Sequence, residues 1–228
     1  MTVAGLQKTT LLDFPGKVAC TVFLRGCNFR CPFCQNSEIL DGGEGDLSEE
    51  ELFSFLNKRK GMLDGVCISG GEPLLFADVV PFIRKIRALG YAIKLDTNGA
   101  FPARLKALCE EGLIDFVAMD IKNSPEKYEK TAGVKVNMDA ISESVDFLLH
   151  GNIPYEFRTT VVKELHSGND FVQIGRWIRG ANRYFLQTFR DSDNVLCTGL
   201  SACSDAQMQA FKEIVRPFVP HVLIRGEE

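Results

Sequence analysis

A regular alternation of short apolar segments with longer amphipathic ones constrains the fold of this chain more than any other feature. The apolar segments are rich in β-branched residues and apolar at both parities, which is typical of strands buried on both faces of a parallel sheet. Segments of helical period follow most of them, with Gly or Pro at several of their ends. The predicted strands span residues 18–24, 65–69, 91–95, 114–119, 155–162 and 183–187.

This strand–helix rhythm predicts an α/β fold. Six such units are fewer than the eight that close a full barrel, so the count favours an open one, a partial (β/α)6 TIM-like barrel. Residues 222–224 are predicted to add an edge strand. The 228 residues fit one domain, and no repeat, low-complexity tract or long linker marks a boundary. Residues 1–228 are therefore predicted to form a single domain.

The net charge and the cysteine content restrict the binding partners and the cellular compartment that this chain is expected to have. With 26 basic and 30 acidic residues the net charge is -4, which gives no electrostatic reason to expect nucleic-acid or membrane-surface binding. The N-terminus lacks the basic start and apolar core of a signal peptide, and no run approaches the span of a membrane helix. The sequence thus predicts a cytoplasmic protein. In that reducing compartment its eight cysteines are expected to be thiols or metal ligands rather than disulfides.

Three cysteines follow directly on the first predicted strand. Cys27, Cys31 and Cys34 are separated by three and two residues, so their thiols can converge on one soft-metal centre. A mononuclear zinc site normally closes with four protein ligands, whereas a cubane cluster held by three cysteines leaves one iron open for a substrate. A zinc knuckle or a group of redox thiols is the alternative interpretation.

The pattern C-x3-C-x-Phe-C, followed by Gly70-Gly71-Glu72-Pro73, resembles that of the radical S-adenosylmethionine (radical SAM) superfamily. The segment from Leu12 to Lys17, which runs through residues 22–26 into the cysteine loop, is similar to the activases of glycyl-radical enzymes. It is most similar to those that act on anaerobic ribonucleoside-triphosphate reductase. The likeness covers nearly the whole chain and is densest between Leu12 and Asn36.

This resemblance implies one [4Fe-4S] cluster bound by Cys27, Cys31 and Cys34, with S-adenosylmethionine at the open iron. It implies a one-electron donor such as flavodoxin or ferredoxin, and reductive cleavage of S-adenosylmethionine to a 5'-deoxyadenosyl radical. That radical would take a hydrogen from a glycine of a partner enzyme, predicted to be the anaerobic ribonucleotide reductase. No acid–base residue is needed, so no catalytic side chain is predicted. A second cluster would need about four ligands and has no compact set, so a ferredoxin-like insertion is predicted to be absent.

Four predicted cofactor contacts lie in the two motifs. Phe33 would pack against the adenine, although a buried core phenylalanine is the alternative. Gly70 and Gly71 would let the backbone approach a ligand closely. By resemblance, Glu72 would bind the methionine ammonium through a charge-assisted hydrogen bond.

Further predicted contacts follow later strands. Asp96, Thr97 and Asp120 resemble a monovalent-cation site beside the methionine carboxylate in some activases, and oxygen ligands suit hard cations. An Asx turn and a helix cap explain the same residues. Lys122 and Arg158 are predicted to meet the carboxylate or ribose side of the cofactor, with a surface salt bridge as the alternative. Asn98, beside Thr97, is a candidate contact or a turn residue.

Some residues depart from the pattern or lie outside it. Gln35 stands where many activases carry histidine, which weakens the transfer of ribose contacts. Cys20, Cys67 and Cys109 occupy apolar patterns and are predicted to be core residues, and residues 197 and 203 to be a labile thiol pair. Two other functions stay open: radical chemistry on another glycyl-radical enzyme, a peptide or a small molecule, and a non-catalytic iron–sulfur or zinc module.

Overall fold

A computed structural model of the protein describes residues 1–41, 45 and 47–226. Within that part of the chain eight strands form one sheet, and neighbouring strands follow the order of the sequence. The strands are β1 Val3–Thr10, β2 Ala19–Leu24, β3 Gly65–Gly70, β4 Ala92–Thr97, β5 Phe116–Asp120, β6 Tyr155–Val161, β7 Tyr184–Thr188 and β8 Val222–Ile224. Strand β1 is antiparallel to β2. The pairs β2–β3, β3–β4, β6–β7 and β7–β8 are parallel.

Helices alternate with the strands from β2 onwards. They are α1 Glu49–Lys58, α2 Val79–Ala88, α3 Pro102–Glu110, α4 Tyr128–Ala132, α5 Met138–His150, α6 Gly168–Trp177 and α7 Asp205–Val215. Short 3-10 turns lie at Ser37–Ile39, Pro73–Leu75 and Pro125–Lys127. The capping boxes at the starts of α1 and α7 each satisfy two backbone or hydroxyl groups that the first helical turn leaves without partners.

The predicted α/β class is confirmed by this sheet of mostly parallel strands. The six strands predicted from apolar periodicity are all present, with bounds that differ by at most two residues, and the edge strand at 222–224 is β8. Strand β1 was not predicted. Its second half, from Gln7 to Thr9, is polar and exposed, so it shows no apolar run, and it joins the sheet through antiparallel pairing outside the βα repeat.

Two compact units divide the chain. The first comprises Met1–Asn28, Glu38–Thr97 and Phe101–Val117, and the second Phe29–Ser37, Asn98–Ala100 and Ala118–Glu228. The single-domain organisation stays a prediction. No helix among the described residues is long and apolar enough to cross a membrane.

In the first unit, small residues at the start of the parallel strands make room for an aromatic ring. Ala19, Gly65 and Ala92 are paired side by side across β2, β3 and β4. The ring of Phe14 packs at this level and lies 6.3 Å, centroid to centroid, from that of Phe116. This cluster closes the end of the strands opposite to the cysteine loop.

In the second unit, stacked rings join α6 to its neighbours. Phe171 lies with its centroid 4.5 Å from Phe211 of α7 and 5.8 Å from the imidazole of His166. Burial lowers the pKa of His166, so the ring is neutral and its Nδ1 accepts a hydrogen bond from the Val162 amide at 3.1 Å. These contacts hold the chain that leads from β6 into α6.

Gly65→Ala is expected to destabilise the first unit, because the new methyl would stand 2.9 Å from the Phe14 ring and 3.0 Å from the Ala92 carbonyl oxygen. Overpacking of this kind lowers the free energy of unfolding by about 1–3 kcal/mol, measurable by urea denaturation. Gly5→Ala on β1 is the matched control, since a methyl there meets nothing within 4 Å. Equal losses in the two variants would contradict this account of the packing.

Candidate functional site

The chain that enters the cysteine loop is held by backbone hydrogen bonds within the first unit. Strand β2 ends at Leu24, and the Arg25 amide then donates to the Thr2 carbonyl at 2.9 Å. The next two amides donate to a segment that follows the loop: Gly26 to Ile39 at 2.7 Å and Cys27 to Leu40 at 2.9 Å. Cys27 is half-buried. The first predicted cluster ligand is thereby fixed in direction by its own main chain.

Gly70 and Gly71 pack directly against that entering chain. The Gly71 amide donates to the Leu24 carbonyl and the Glu72 amide to the Gly26 carbonyl, both at 2.8 Å. A Cβ on Gly70, which has φ +120°, would lie 2.3 Å from the Leu24 nitrogen, and one on Gly71 would lie 2.0 Å from the Gly26 oxygen. The close approach predicted for this glycine pair is thus seen towards the chain's own backbone. A role next to a ligand stays a prediction.

Glu72 carries a buried carboxylate whose orientation is set by two donors. Its side-chain Oε1 accepts from the Leu74 amide at 2.9 Å and from the Thr97 hydroxyl at 2.8 Å. Only 1% of the residue is exposed. A buried carboxylate needs such partners, because its desolvation is otherwise unfavourable. The structure therefore brings Glu72 and Thr97 together, as part of one hydrogen-bonded group in the first unit.

Asp96 belongs to the same unit and is bound by two other residues. Its Oδ2 accepts from the Ser69 hydroxyl at 3.0 Å, and its Oδ1 forms an ion pair with the Lys94 ammonium. Lys94 is 1% exposed. Side chains two apart on a strand point to the same face, so Lys94 and Asp96 are neighbours on one side of β4. Lys94 is not among the residues predicted from the sequence, although a lysine inside an apolar strand indicates a buried partner.

The remaining two cysteines of the loop lie in the second unit. Cys31 is buried and Cys34 half-buried, and the Cys34 amide donates to the Cys31 carbonyl at 3.0 Å, which closes a turn between them. The Arg30 amide donates to the Ala132 carbonyl at the end of α4 at 2.8 Å. Phe33 is 6% exposed. That burial is compatible with its core alternative, and packing against adenine stays a prediction.

A segment after β7, residues 190–197, is bonded along the cysteine loop. The Cys197 amide donates to the Pro32 carbonyl at 2.9 Å and the Leu196 amide to the Cys34 carbonyl at 3.1 Å. The Gln35 amide group donates to the Arg190 carbonyl and the Ser37 hydroxyl to the Asn194 carbonyl, both at 2.7 Å. The 190–197 segment therefore restrains the half of the loop that carries Cys31 and Cys34. No sequence motif indicated this contact.

Asp120, Lys122 and Arg158 form one ion-paired group in the second unit. The Asp120 carboxylate binds Lys122 Nζ through Oδ2 at 3.0 Å and Arg158 Nε through Oδ1 at 2.9 Å. Burial acts to lower the pKa of Lys122, but the nearby Asp120 and Cys31 outweigh it and raise that pKa above its ordinary value. The ammonium also lies 5.9 Å from the Phe33 ring centroid. The salt bridge predicted as the alternative for Lys122 and Arg158 is present, but it is largely buried and does not lie on the surface.

Asn98 lies in a turn, which was the alternative to a cofactor contact. Its side-chain oxygen accepts from the Ala100 amide at 3.0 Å, and 5% of the residue is exposed. This is an Asx turn at the end of β4. A contact with a cofactor stays a prediction for Asn98.

The other cysteines are thiols with distinct surroundings. Burial raises the pKa of Cys20, Cys67 and Cys109 to about 12, so these three thiols are protonated. Cys20 and Cys67 lie in the core as predicted, whereas the prediction for Cys109 was wrong, because it is half-buried on α3. Burial also raises the pKa of Cys203, whereas Cys197 is exposed. All eight cysteines lie in the described chain, and none forms a disulfide.

The donor set of the loop fits an iron–sulfur cluster. Three thiols on eight consecutive residues are soft ligands, and their main chain is bonded on both sides of the loop. Across residues 1–41, 45 and 47–226 no three His, Cys, Asp or Glu side chains stand close enough to share a single metal ion. A cubane does not require that arrangement, because each cysteine binds a different iron.

Comparison with known proteins adds the family relationship. The profile of the radical SAM superfamily matches residues 21–177 of this chain. A protein of Methanocaldococcus jannaschii, provisionally named as a glycyl-radical enzyme activating enzyme, is 28% identical over 230 residues, which cover 98% of this chain and 95% of that protein. The pyruvate formate-lyase-activating enzyme of Listeria monocytogenes is 35% identical over 142 residues, which cover 56% of each chain.

Solved structures share the fold at low identity. Streptococcus suis SuiB bound to its precursor peptide SuiA gives a TM-score of 0.71 at 14% identity, covering 90% of this chain and 48% of that one. A domain of pyruvate-formate lyase-activating enzyme from Bacteroides vulgatus gives 0.59 at 16% identity, covering 71% of this chain and 99% of that one. These similarities confirm the fold class.

Gly71→Ala is expected to displace Cys27, because its methyl would overlap the Gly26 carbonyl oxygen and reach within 3.2 Å of the Cys27 nitrogen. After anaerobic reconstitution we expect the variant to hold less than about half the iron and sulfide of the wild type, because a ligand of the cluster has moved. Chemical assay of both elements measures this. Gly5→Ala is the control, and full loading of Gly71→Ala would contradict the packing argument.

Removing the two side-chain bonds to the 190–197 segment is expected to loosen the cysteine loop. Each bond contributes about 0.5–1.5 kcal/mol, so Gln35→Ala combined with Ser37→Ala should speed iron loss to a chelator by about tenfold. The absorbance of the chelate follows the rate. Asn57→Ala serves as control, since its amide also donates to a backbone carbonyl, that of Phe53 at 2.9 Å on α1. Identical rates in all three proteins would refute a restraining role.

Proposed function

This chain belongs to the radical SAM superfamily, and we propose that within it the protein is an activase that generates a glycyl radical on a partner enzyme. Members of this superfamily use a [4Fe-4S] cluster and S-adenosylmethionine. The observation that carries the proposal is the three-cysteine loop directly after β2, whose entering chain is bonded to Gly71 and Glu72. The match with a relative of that name over 98% of the chain supports the choice of reaction.

In this proposal Cys27, Cys31 and Cys34 hold the cluster. When bound, the cluster supplies the electron that cleaves S-adenosylmethionine into methionine and a 5'-deoxyadenosyl radical, which takes a hydrogen atom from a glycine α-carbon. The protein supplies ligation, orientation and protection from water. The backbone bonds at Cys27 and Cys34 serve orientation, because they fix the direction in which two of the thiols leave the main chain.

Glu72 is the proposed partner of the methionine ammonium. Its carboxylate is already oriented by Thr97 and the Leu74 amide, so little conformational entropy is lost when it binds a cation. Lys122 and Arg158 are proposed to present positive charge to the carboxylate or ribose side of the cofactor, and Asp120 holds both of them. Phe33, Asn98, Gly70 and Gly71 complete the proposed cofactor contacts.

The proposed target is anaerobic ribonucleoside-triphosphate reductase, because the segment from Leu12 to Asn36 resembles its activases. We propose further that a one-electron donor such as flavodoxin or ferredoxin reduces the cluster, and that the reaction takes place in the cytoplasm. The similarity to the pyruvate formate-lyase-activating enzyme of Listeria favours a second candidate target, pyruvate formate-lyase. That relative matches over about half its length, so both targets belong in the test.

The test is anaerobic incubation of the reduced, reconstituted protein with S-adenosylmethionine and either target enzyme. We expect a glycyl radical signal by electron paramagnetic resonance with the reductase, together with stoichiometric 5'-deoxyadenosine. Cys31→Ala should abolish both products, because the cluster loses a ligand. Cys109→Ala is the matched control, since that thiol lies on α3 and its raised pKa marks it as a structural residue.

The outcomes separate the candidate functions. A signal with pyruvate formate-lyase alone would change the target and keep the activase. Cleavage of S-adenosylmethionine without a radical on either enzyme would point to a peptide or small-molecule substrate. A protein that takes up zinc but no iron and sulfide, or a cluster that leaves S-adenosylmethionine intact, would indicate a non-catalytic metal module and refute the proposal.

A further inference from the structure

The carboxylates predicted to bind a monovalent cation are already paired with cations of the chain itself. In the first unit Asp96 is paired with the Lys94 ammonium. In the second unit, and independently, both oxygens of Asp120 are bonded to cationic side chains, Lys122 at 3.0 Å and Arg158 at 2.9 Å. A monovalent cation binds to carboxylates because they offer uncompensated negative charge. The residues present do not fit that requirement.

Lys94 is bound to Asp96 more firmly than a surface lysine would be. Its side chain is 1% exposed, against 16% for Asp96, so the ammonium is removed from water. An ammonium in such a position is strongly destabilised unless a charged partner compensates it. The Ser69 hydroxyl holds the other Asp96 oxygen at 3.0 Å, which keeps the carboxylate turned towards Lys94. A competing ion on Asp96 would therefore have to displace an ammonium that is buried beside it.

A second cation on the same carboxylate would be repelled by Lys94. Two like charges a few ångströms apart interact strongly where water is excluded, because the effective dielectric constant is low there. Potassium and sodium are also diffusible, whereas Lys94 is attached two residues from Asp96 on β4 and is always present. The Lys94 ammonium therefore competes for Asp96 at a high effective concentration.

We propose that Lys94 supplies, from within the chain, the positive charge that a bound monovalent cation would otherwise supply beside Asp96, and that S-adenosylmethionine binding needs no such ion. Lys94 is thus a positioning residue, acting through Asp96. This inference rests on the proposed function, because cofactor binding is its readout.

The experiment measures the Kd of S-adenosylmethionine by isothermal titration calorimetry on the anaerobically reconstituted protein. Three buffers of equal ionic strength are compared, containing chloride salts of potassium, sodium or N-methyl-D-glucamine, whose bulky cation cannot occupy an ion site between side chains. For the wild type we expect Kd to agree within a factor of about two across the three buffers. This comparison uses only the wild-type protein, so its result does not depend on whether a variant folds.

Lys94→Met removes the ammonium from Asp96 and is expected to create the dependence of cofactor affinity on potassium that the wild type lacks. In N-methyl-D-glucamine the variant should bind about tenfold more weakly, and potassium should restore most of that loss. Adding Asp96→Asn should remove the response to potassium, because the carboxylate that attracts the ion is gone. Lys85→Met is the matched control, since Lys85 is an exposed lysine on α2 paired with Glu49. Circular dichroism and thermal unfolding confirm that each variant is folded.

Two results would overturn this inference and leave the activase proposal intact. One is a wild-type protein whose affinity falls about tenfold when potassium and sodium are withdrawn. The other is a folded Lys94→Met that binds S-adenosylmethionine equally well in all three buffers. A wild-type protein that binds none of the compound in any buffer would overturn the proposed function, and this inference with it.

Discussion

The contact between the end of β3 and the end of β2 is the constraint on which the site depends. The Gly71 amide donates to the Leu24 carbonyl and the Glu72 amide to the Gly26 carbonyl, and neither Gly70 nor Gly71 has room for a methyl group. Parallel strands bring their carboxyl ends to the same edge of a sheet, so a ligand loop after one strand and a polar motif after the next become neighbours. In this chain the neighbours are in direct backbone contact. The glycine–glutamate motif therefore supports the cysteine loop through its own backbone.

The buried carboxylates of both units follow one principle, that a buried ion needs a fixed partner. Glu72 is oriented by a hydroxyl and an amide, Asp96 by Lys94 and Ser69, and Asp120 by Lys122 and Arg158. Buried pairs of this kind contribute little to stability compared with apolar packing, but they hold side chains in one orientation. That property suits the proposed reaction, in which the protein positions a cofactor.

The sequence predicted the repeating part of the fold well, because strands buried on both faces carry a continuous apolar signal. It missed β1, whose polar half carries none. At the site it identified the motifs, but it predicted ligand approach for Gly70 and Gly71, and for Lys122 either a cofactor contact or a surface salt bridge. The structure adds that the glycines meet Leu24 and Gly26, and that Lys122 meets Asp120. The contacts of the two glycines join residues far apart in the chain, so no local period or spacing encodes them. Lys94 could be predicted in part. A charged residue within an apolar strand indicates a buried partner, but the sequence does not identify that partner.

The bonds from the 190–197 segment to the cysteine loop have a consequence for biosynthesis. Domains are assembled from the N-terminus while the ribosome is still adding residues. Cys34 is synthesised well before Leu196, whose amide donates a hydrogen bond to the Cys34 carbonyl. The restraint on this half of the cysteine loop therefore forms only after residues 190–197 have been added. Until then the loop lacks the bonds that this segment provides, so its order depends on the folding of a part of the chain that follows β7.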